Sequence, residues 1–99
     1  MSEAVSRVVL VLMKSPETDA TLDVLREDHP DVIIEDRQTY WHLTHEKEIR
    51  IDLARVGDEL GEPIELSEWL VIMSSFVGRV ETDPGSFLVT TDMLQLADT

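Results

Sequence analysis

The chain has no cysteine among its 99 residues. That excludes disulfides and thiolate-held metals, and it suits a reducing compartment. Basic residues are scarce: 8 Lys and Arg stand against 21 Asp and Glu, for a net charge of −13. A surface this acidic repels phosphate backbones and anionic lipid, so neither nucleic acid nor membrane is expected as a partner. No apolar run reaches the length of a membrane span; the longest, Val8 to Met13 and Trp69 to Met73, have the length of strands. Met1-Ser2-Glu3 offers no basic stretch ahead of an apolar one, so no secretion signal is read and a cytoplasmic location is expected. The four glycines, at 57, 61, 78 and 85, are scattered and make no phosphate-cradling loop.

What is present is a globular mixture, 42% hydrophobic and 29% charged, in a chain long enough for one small domain. The single domain, residues 1–99, divides into two halves of like element order, about 7–45 and 46–92. In the first half, Arg7 to Met13 is apolar and β-branched, which predicts a strand covered on both faces. Ser15-Pro16-Glu17 carries an N-cap, a proline at the first helical position and an acid in the first turn. The helix ends near Asp28, because Pro30 pushes His29 out of helical geometry. Val32 to Glu35 and Tyr40 to Thr44 follow as strands.

The second half opens on Glu48-Ile49-Arg50-Ile51, which alternates as a half-buried strand does. Asp52 caps a helix with Leu53, Val56 and Leu60 on one side, and Gly61 ends it in a left-handed conformation ahead of Pro63. Trp69 to Val80 reads as one long strand, bent at Gly78. Asp83-Pro84-Gly85 reads as a type II turn, and Ser86 to Thr90 as the closing strand. The fold class is therefore α+β: tandem β-α-β-β units with short helices packed on antiparallel-rich sheets.

Catalytic chemistry is thin. His42 and His45 sit three apart on a strand and point to opposite faces, so they cannot share one metal unless a turn intervenes. His29, ahead of Pro30, is a loop residue. Ser74 and Ser75 lack the glycine-flanked setting of a nucleophile. Glu35 and Asp36 are adjacent on a strand and diverge. Trp41 and Trp69 fit core or edge anchors, with an interface role as the alternative. No catalytic, cofactor-binding or metal-binding residue is assigned.

Three segments carry a resemblance. They are Glu35-Asp36-Arg37-x-x-Tyr40-Trp41; Leu60-Gly61-Glu62-Pro63 with Glu68 through Arg79; and Phe87 through Leu94. In order and spacing they resemble the effector, or coupling, proteins of bacterial multicomponent soluble di-iron monooxygenases, among them the methane, phenol, toluene and alkene types. The match spans roughly residues 7 to 96. The resemblance implies a cofactor-free, non-enzymatic regulatory component, monomeric when free. Its implied partner is a hydroxylase with a carboxylate-bridged di-iron centre. Binding would regulate oxygen activation, electron coupling and access of small hydrocarbons.

By position, the resemblance also implies a partner-binding set of Ile72, Ser74, Ser75, Phe76, Gly78 and Tyr40. Alternation places Ile72, Ser74 and Phe76 on one strand face, with Ser75 opposite unless the strand bulges. Phe76 stands where toluene-type relatives also carry Phe, which implies gating suited to larger substrates; a core position fits Phe76 equally well. Six residues precede the first strand, fewer than in the methane-type tail, so tail-dependent functions are not carried over. Two other readings fit the composition. One is an acidic adaptor or small-molecule sensor of ferredoxin-like duplicated fold; the other is a small enzyme of that fold, which would need a pocket with perturbed ionisable groups.

Overall fold

The computed structural model describes residues 7–91. The end of the second half at residue 92, and the part of the resemblance carried by Asp92, Met93 and Leu94, lie outside them. The order is β1 (Val8–Met13), α1 (Pro16–Asp28), β2 (Ile33–Asp36), β3 (Tyr40–His45), β4 (Glu48–Asp52), α2 (Leu53–Leu60), α3 (Leu66–Leu70), β5 (Met73–Val77), β6 (Arg79–Asp83) and β7 (Ser86–Thr90).

Local chemistry sets the helix ends. The Ser15 hydroxyl accepts from the Thr18 N–H at 3.0 Å, and Pro16 opens α1. Asp52 accepts from the N–H groups of Ala54 and Arg55, and Gly61 closes α2 at φ 93°. The helices pack against each other. Arg55 of α2 reaches Glu27 and Asp28 of α1 at 2.7 and 2.9 Å, and those carboxylates hold its guanidinium in the charged form.

The strands form two antiparallel sheets, ordered β2-β3-β1-β5 and β4-β7-β6. The duplication is visible here. In the first half the opening strand pairs with the third, which pairs with the second; β4, β7 and β6 repeat that order. The second half adds α3 and β5 between its helix and its closing strands, and β5 crosses to pair with β1. Both sheets bury one face in a common core with Trp69, which is fully buried. Its indole N–H donates to Thr21 Oγ1 at 3.0 Å, and its ring lies 4.8 Å from that of Phe87.

Three expectations change. The long strand over Trp69 to Val80 is instead a helix, a strand and the start of another strand. Trp69 belongs to α3, whose first turn is secured by Glu68 accepting from the Glu65 N–H at 2.9 Å. Tertiary burial of the indole outweighs the β-propensity of Trp69-Leu70-Val71-Ile72. The turn after Asp83 is present but is not type II: among the described glycines, positive φ occurs at Gly61 and Gly78 and not at Gly85. The Asp83 carboxylate accepts from the Gly85 N–H at 2.8 Å and stabilises the turn from its side chain. The second strand starts and ends one residue later than read, at Ile33–Asp36.

Gly78 joins the two sheets at φ 135°, and a Cβ there would lie 2.8 Å from Val89 Cγ2, 2.9 Å from Thr90 O and 3.2 Å from Val8 Cγ1. Gly78→Ala should cost at least about 2 kcal/mol, by combining left-handed strain with the clash. A urea denaturation midpoint equal to that of the parent would refute the crossing as described.

Candidate docking surface

Pairing register assigns each side chain of the four-stranded sheet to a face, because residues directly opposite one another point the same way. Leu10 and Leu12 face the core, together with Leu43, Trp41 and Ile34 on neighbouring strands. The outer face therefore carries Val9, Val11 and Met13 of β1; Tyr40, His42 and Thr44 of β3; Ile33 and Glu35 of β2; and Ser75 and Val77 of β5. Ile33, Thr44, Val9 and Val77 make one uncharged row across all four strands. Glu35 is the only carboxylate among these paired positions.

The corresponding face of the second sheet is different. Ile49, Ile51, Phe87 and Val89 are its buried side. Its outer side carries Glu48, Arg50 and Asp52 on β4 and Arg79, Glu81 and Asp83 on β6, flanking Ser86, Leu88 and Thr90 on the central β7. The large hydrophobic side chains left exposed among the described residues are Met13, Ile33, Val71, Phe76 and Val77. All belong to the first sheet or to the turn leading into it.

The six expected contact residues fall into different settings. Ser74, Ser75 and Phe76 lie on β5, the open edge of the first sheet, and all are exposed. Tyr40 begins β3 on the outer face, half-buried. Gly78 is wedged between strands. Ile72 does not share the exposed face as expected: it is 7% exposed, precedes β5, and its carbonyl accepts from the Met13 N–H at 2.8 Å. The β5 register slips by one residue between Val11 and Leu12, so that Ser75 opposes Val11 while Met73 opposes Leu12. Ser74 is the extra residue of this bulge. The strand then presents Ser75 and Val77 outward, and Phe76 on the opposite face at the sheet margin. At 43% exposure, Phe76 is not core.

Next to this face is a feature that sequence reading missed, the three-residue tip of the β2–β3 hairpin. Gln38 takes φ 73°, a conformation usually given to Gly or Asn, so its identity gives no warning. Asp36 holds the tip by accepting from the Gln38 N–H at 2.9 Å and from Lys14 Nζ at 2.6 Å. These bonds, Lys14 first, pull the Asp36 carboxyl below its usual value. Arg37 donates to Glu35 at 2.6 Å and lowers that carboxyl too. Lys14 also sits 4.9 Å from the Trp41 ring centre, within cation–π range. Positive charge at the tip is thus held in ion pairs.

His42 and His45 separate as expected, while His29 meets His45 across Asp31. His42 is on the outer face, its Nδ1 3.6 Å from Glu35, beyond hydrogen-bond range. His45 points away, toward Asp31 at 2.7 Å. An open cavity of about 550 Å³ lies between α2, the 61–64 loop and the β6–β7 turn, and among the described residues its charged side chains are the carboxylates of Asp58 and Glu62. Among the described residues the lining holds no His, Cys, Ser, Thr, Tyr, Lys or Arg to set beside them as a nucleophile or an oxyanion partner.

A family model described as the MmoB/DmpM family matches residues 6–90. The chain belongs to that family. The methane monooxygenase regulatory protein B of Methylosinus trichosporium is 35% identical over 94 residues, covering 90% of this chain and 68% of the relative. The protein of the same name from Methylococcus capsulatus is 33% identical over 95 residues, covering 90% and 67%. A solved structure of the soluble methane monooxygenase regulatory protein B superposes with a TM-score of 0.73 at 30% identity, covering 97% of this chain and 72% of that one. A regulatory protein solved in complex with phenol hydroxylase shares the fold, with a TM-score of 0.77 at 21% identity over 85% and 97% of the two chains. This MmoB/DmpM chain thus has named relatives that are regulatory proteins, and is itself a regulatory component and not a catalytic one. Among the described residues no helix is long and apolar enough to cross a membrane.

Two outcomes test this geometry. Phe76→Ala should cost about 1–2 kcal/mol and leave the domain folded, whereas Trp69→Ala should cost about 3–5 kcal/mol. Chemical denaturation of both variants checks the contrast; equal losses would return Phe76 to the core. The second concerns Asp31, whose carboxyl is lowered from 3.8 to about 2, first by the hydrogen bond from His45 and then by that from His29. Its folded value lies below its unfolded one, so its contribution is present above about pH 4 and is lost as pH falls through about 2. Asp31→Asn should lower the melting temperature at neutral pH, with the gap closing toward pH 2. Coincident melting curves at neutral pH would count against the contact.

Proposed function

We propose that this chain is the effector of a soluble multicomponent monooxygenase: it binds the di-iron hydroxylase component and regulates oxygen activation, electron coupling and the access of small hydrocarbons. The observation that carries the reading is the asymmetry of the two sheets. They share one topology, yet among the described residues only the first leaves large apolar side chains in the open, Met13, Ile33, Phe76 and Val77, and its outer face carries an uncharged row from Ile33 to Val77 across four strands. A contact face of that kind suits a protein partner, with apolar side chains at the centre and charge at the rim. Named relatives at 33–35% identity are methane monooxygenase regulatory proteins, and a protein of the same fold has been solved on a phenol hydroxylase.

The contact set proposed is Ser74, Ser75, Phe76 and Val77 on the β5 edge, with Tyr40, Val9 and Ile33 on the outer face. Gly78 acts by fixing the crossing, and Ile72 is excluded by burial. The whole of residues 1–99 works as one unit in this proposal, in the cytoplasm, where a cysteine-free chain needs no oxidising environment. Phe76 projects from the other side of the same β5 margin, where its volume would narrow a passage in a partner that wraps this edge.

Purified hydroxylase and effector test the proposal directly. Val77→Lys should weaken association at least tenfold, whereas Arg50→Glu on the second sheet should leave it within about twofold. The association rate should fall with added salt, since steering by a charge of −13 is screened beyond roughly 8 Å at physiological ionic strength. Phe76→Ala should raise turnover of bulky substrates relative to small ones. An unchanged affinity for Val77→Lys would remove the outer face from the interface.

A further inference from the structure

His45 ends β3, where the first repeat unit passes into the second. Its Nδ1 lies 3.0 Å from the backbone N of Lys47 and 3.1 Å from that of Glu48. A backbone N–H can only donate, so Nδ1 accepts both bonds through its lone pair. The neutral ring must then carry its proton on Nε2, which is 2.7 Å from Asp31 Oδ2. The second oxygen of Asp31 faces His29 Nδ1 at 3.4 Å, and the two rings meet edge-on with centres 5.3 Å apart. One imidazole therefore grips two segments. Through Nδ1 it holds the turn into β4; through Nε2 it holds the loop between α1 and β2.

Two histidines and an aspartate whose ligand atoms lie within 4.8 Å of one another have the composition of a transition-metal tripod. The bonds of His45 oppose that use. A metal on Nε2 would leave the ring proton on Nδ1, pointing at two N–H donors. A second proton on the ring meets the same obstacle at Nδ1. The Nε2–H of the protonated ring, however, goes on donating to Asp31, and that bond becomes charge-assisted. We infer that His45 is a proton-operated latch: neutral, it fastens the Lys47 and Glu48 amides at the junction of the two units; protonated, it releases them and tightens on the α1–β2 loop.

The charged groups around the ring come from each neighbouring segment. Asp31 and His29 face it from the loop before β2. Arg7, ahead of β1, lines with His45 and Lys47 a cavity of about 320 Å³. Glu46, Lys47 and Glu48 belong to its own hairpin. The Asp31 carboxyl, held near 2, stays ionised throughout the range in which imidazole commonly changes charge. The latch reaches further than the turn. The Lys47 carbonyl accepts from the Thr91 N–H at 3.0 Å, just after β7, so releasing Lys47 loosens the seam between the junction and the end of the second sheet. The inference goes beyond the effector reading and does not rest on it.

Nuclear magnetic resonance of the full chain tests the latch. At neutral pH the His45 ring should be the Nε2–H tautomer. On acidification the Lys47 and Glu48 amides should shift with the same midpoint as the His45 ring. Their exchange protection, corrected for intrinsic rates, should fall roughly three- to tenfold, as for loss of one ordinary hydrogen bond each. The Thr91 amide should follow. His45→Leu should abolish the common transition. Should that variant not fold, the parent titration decides alone, with His29→Asn separating the second ring. A neutral ring protonated on Nδ1, or amides unmoved across the ring's midpoint, would overturn the latch. So would tight zinc binding that perturbs both rings at neutral pH, in favour of a metal site.

Discussion

A backbone position with no room for a side chain governs how the two sheets meet. At Gly78 the chain leaves the edge of the first sheet and enters the edge of the second, and a Cβ there would press against Val89, the Thr90 carbonyl and Val8. That closeness lets both sheets bury their apolar faces in one core around Trp69 and Phe87. A wider crossing would open the junction beneath Val8 and Val89, and lost packing of that kind is costly in a chain of 99 residues. The helices contribute from the other side, with α1 and α2 packed together and Arg55 shared between two α1 carboxylates. Those pairs are exposed, so they orient the helices more than they stabilise them.

With the scaffold fixed in that way, the repeat can diverge in its outward surfaces without disturbing its topology. Both units order their strands first, third, second. In one unit the outward positions include Val9, Val11, Thr44 and Ile33, with Glu35 as the carboxylate among the paired positions; in the other they include Glu48, Arg50, Asp52, Glu81 and Asp83 around Leu88. The inward positions at the centre of each sheet, Leu10, Leu12 and Leu43 in one and Ile49, Ile51, Phe87 and Val89 in the other, stay apolar. Alternation along a strand keeps the two roles apart, since a change on one face leaves the other untouched.

Much of this was legible in the residues. Ser15-Pro16 and Asp52 marked helix starts, Gly61 marked an end, and the alternation of Glu48 to Ile51 marked a half-buried strand, because caps and periods are local signals. The segment from Trp69 to Val80 was not legible. Its β-branched run satisfies strand propensity, while the fate of Trp69 depends on Thr21 and Phe87, distant in sequence. The misassignment propagated into the candidate site. Placing Ile72, Ser74 and Phe76 on one face required an unbroken strand, and the bulge at Ser74 breaks the count. That Phe76 would be exposed, and that Gln38 would take a left-handed conformation, also depended on packing that neither residue type announces.

The bulge at Ser74 also bears on life at high protein concentration. An open strand edge offers evenly spaced amide and carbonyl groups to any passing strand, and β5 is such an edge, flanked by Phe76 and Val77. The extra residue interrupts that spacing midway along a five-residue strand, so a second copy meets a template that fits over only two or three residues. Strong like charge adds repulsion between copies. Apolar side chains can therefore stand at this sheet margin, available to a shaped partner surface, while pairing of the β5 edge with a second copy is disfavoured.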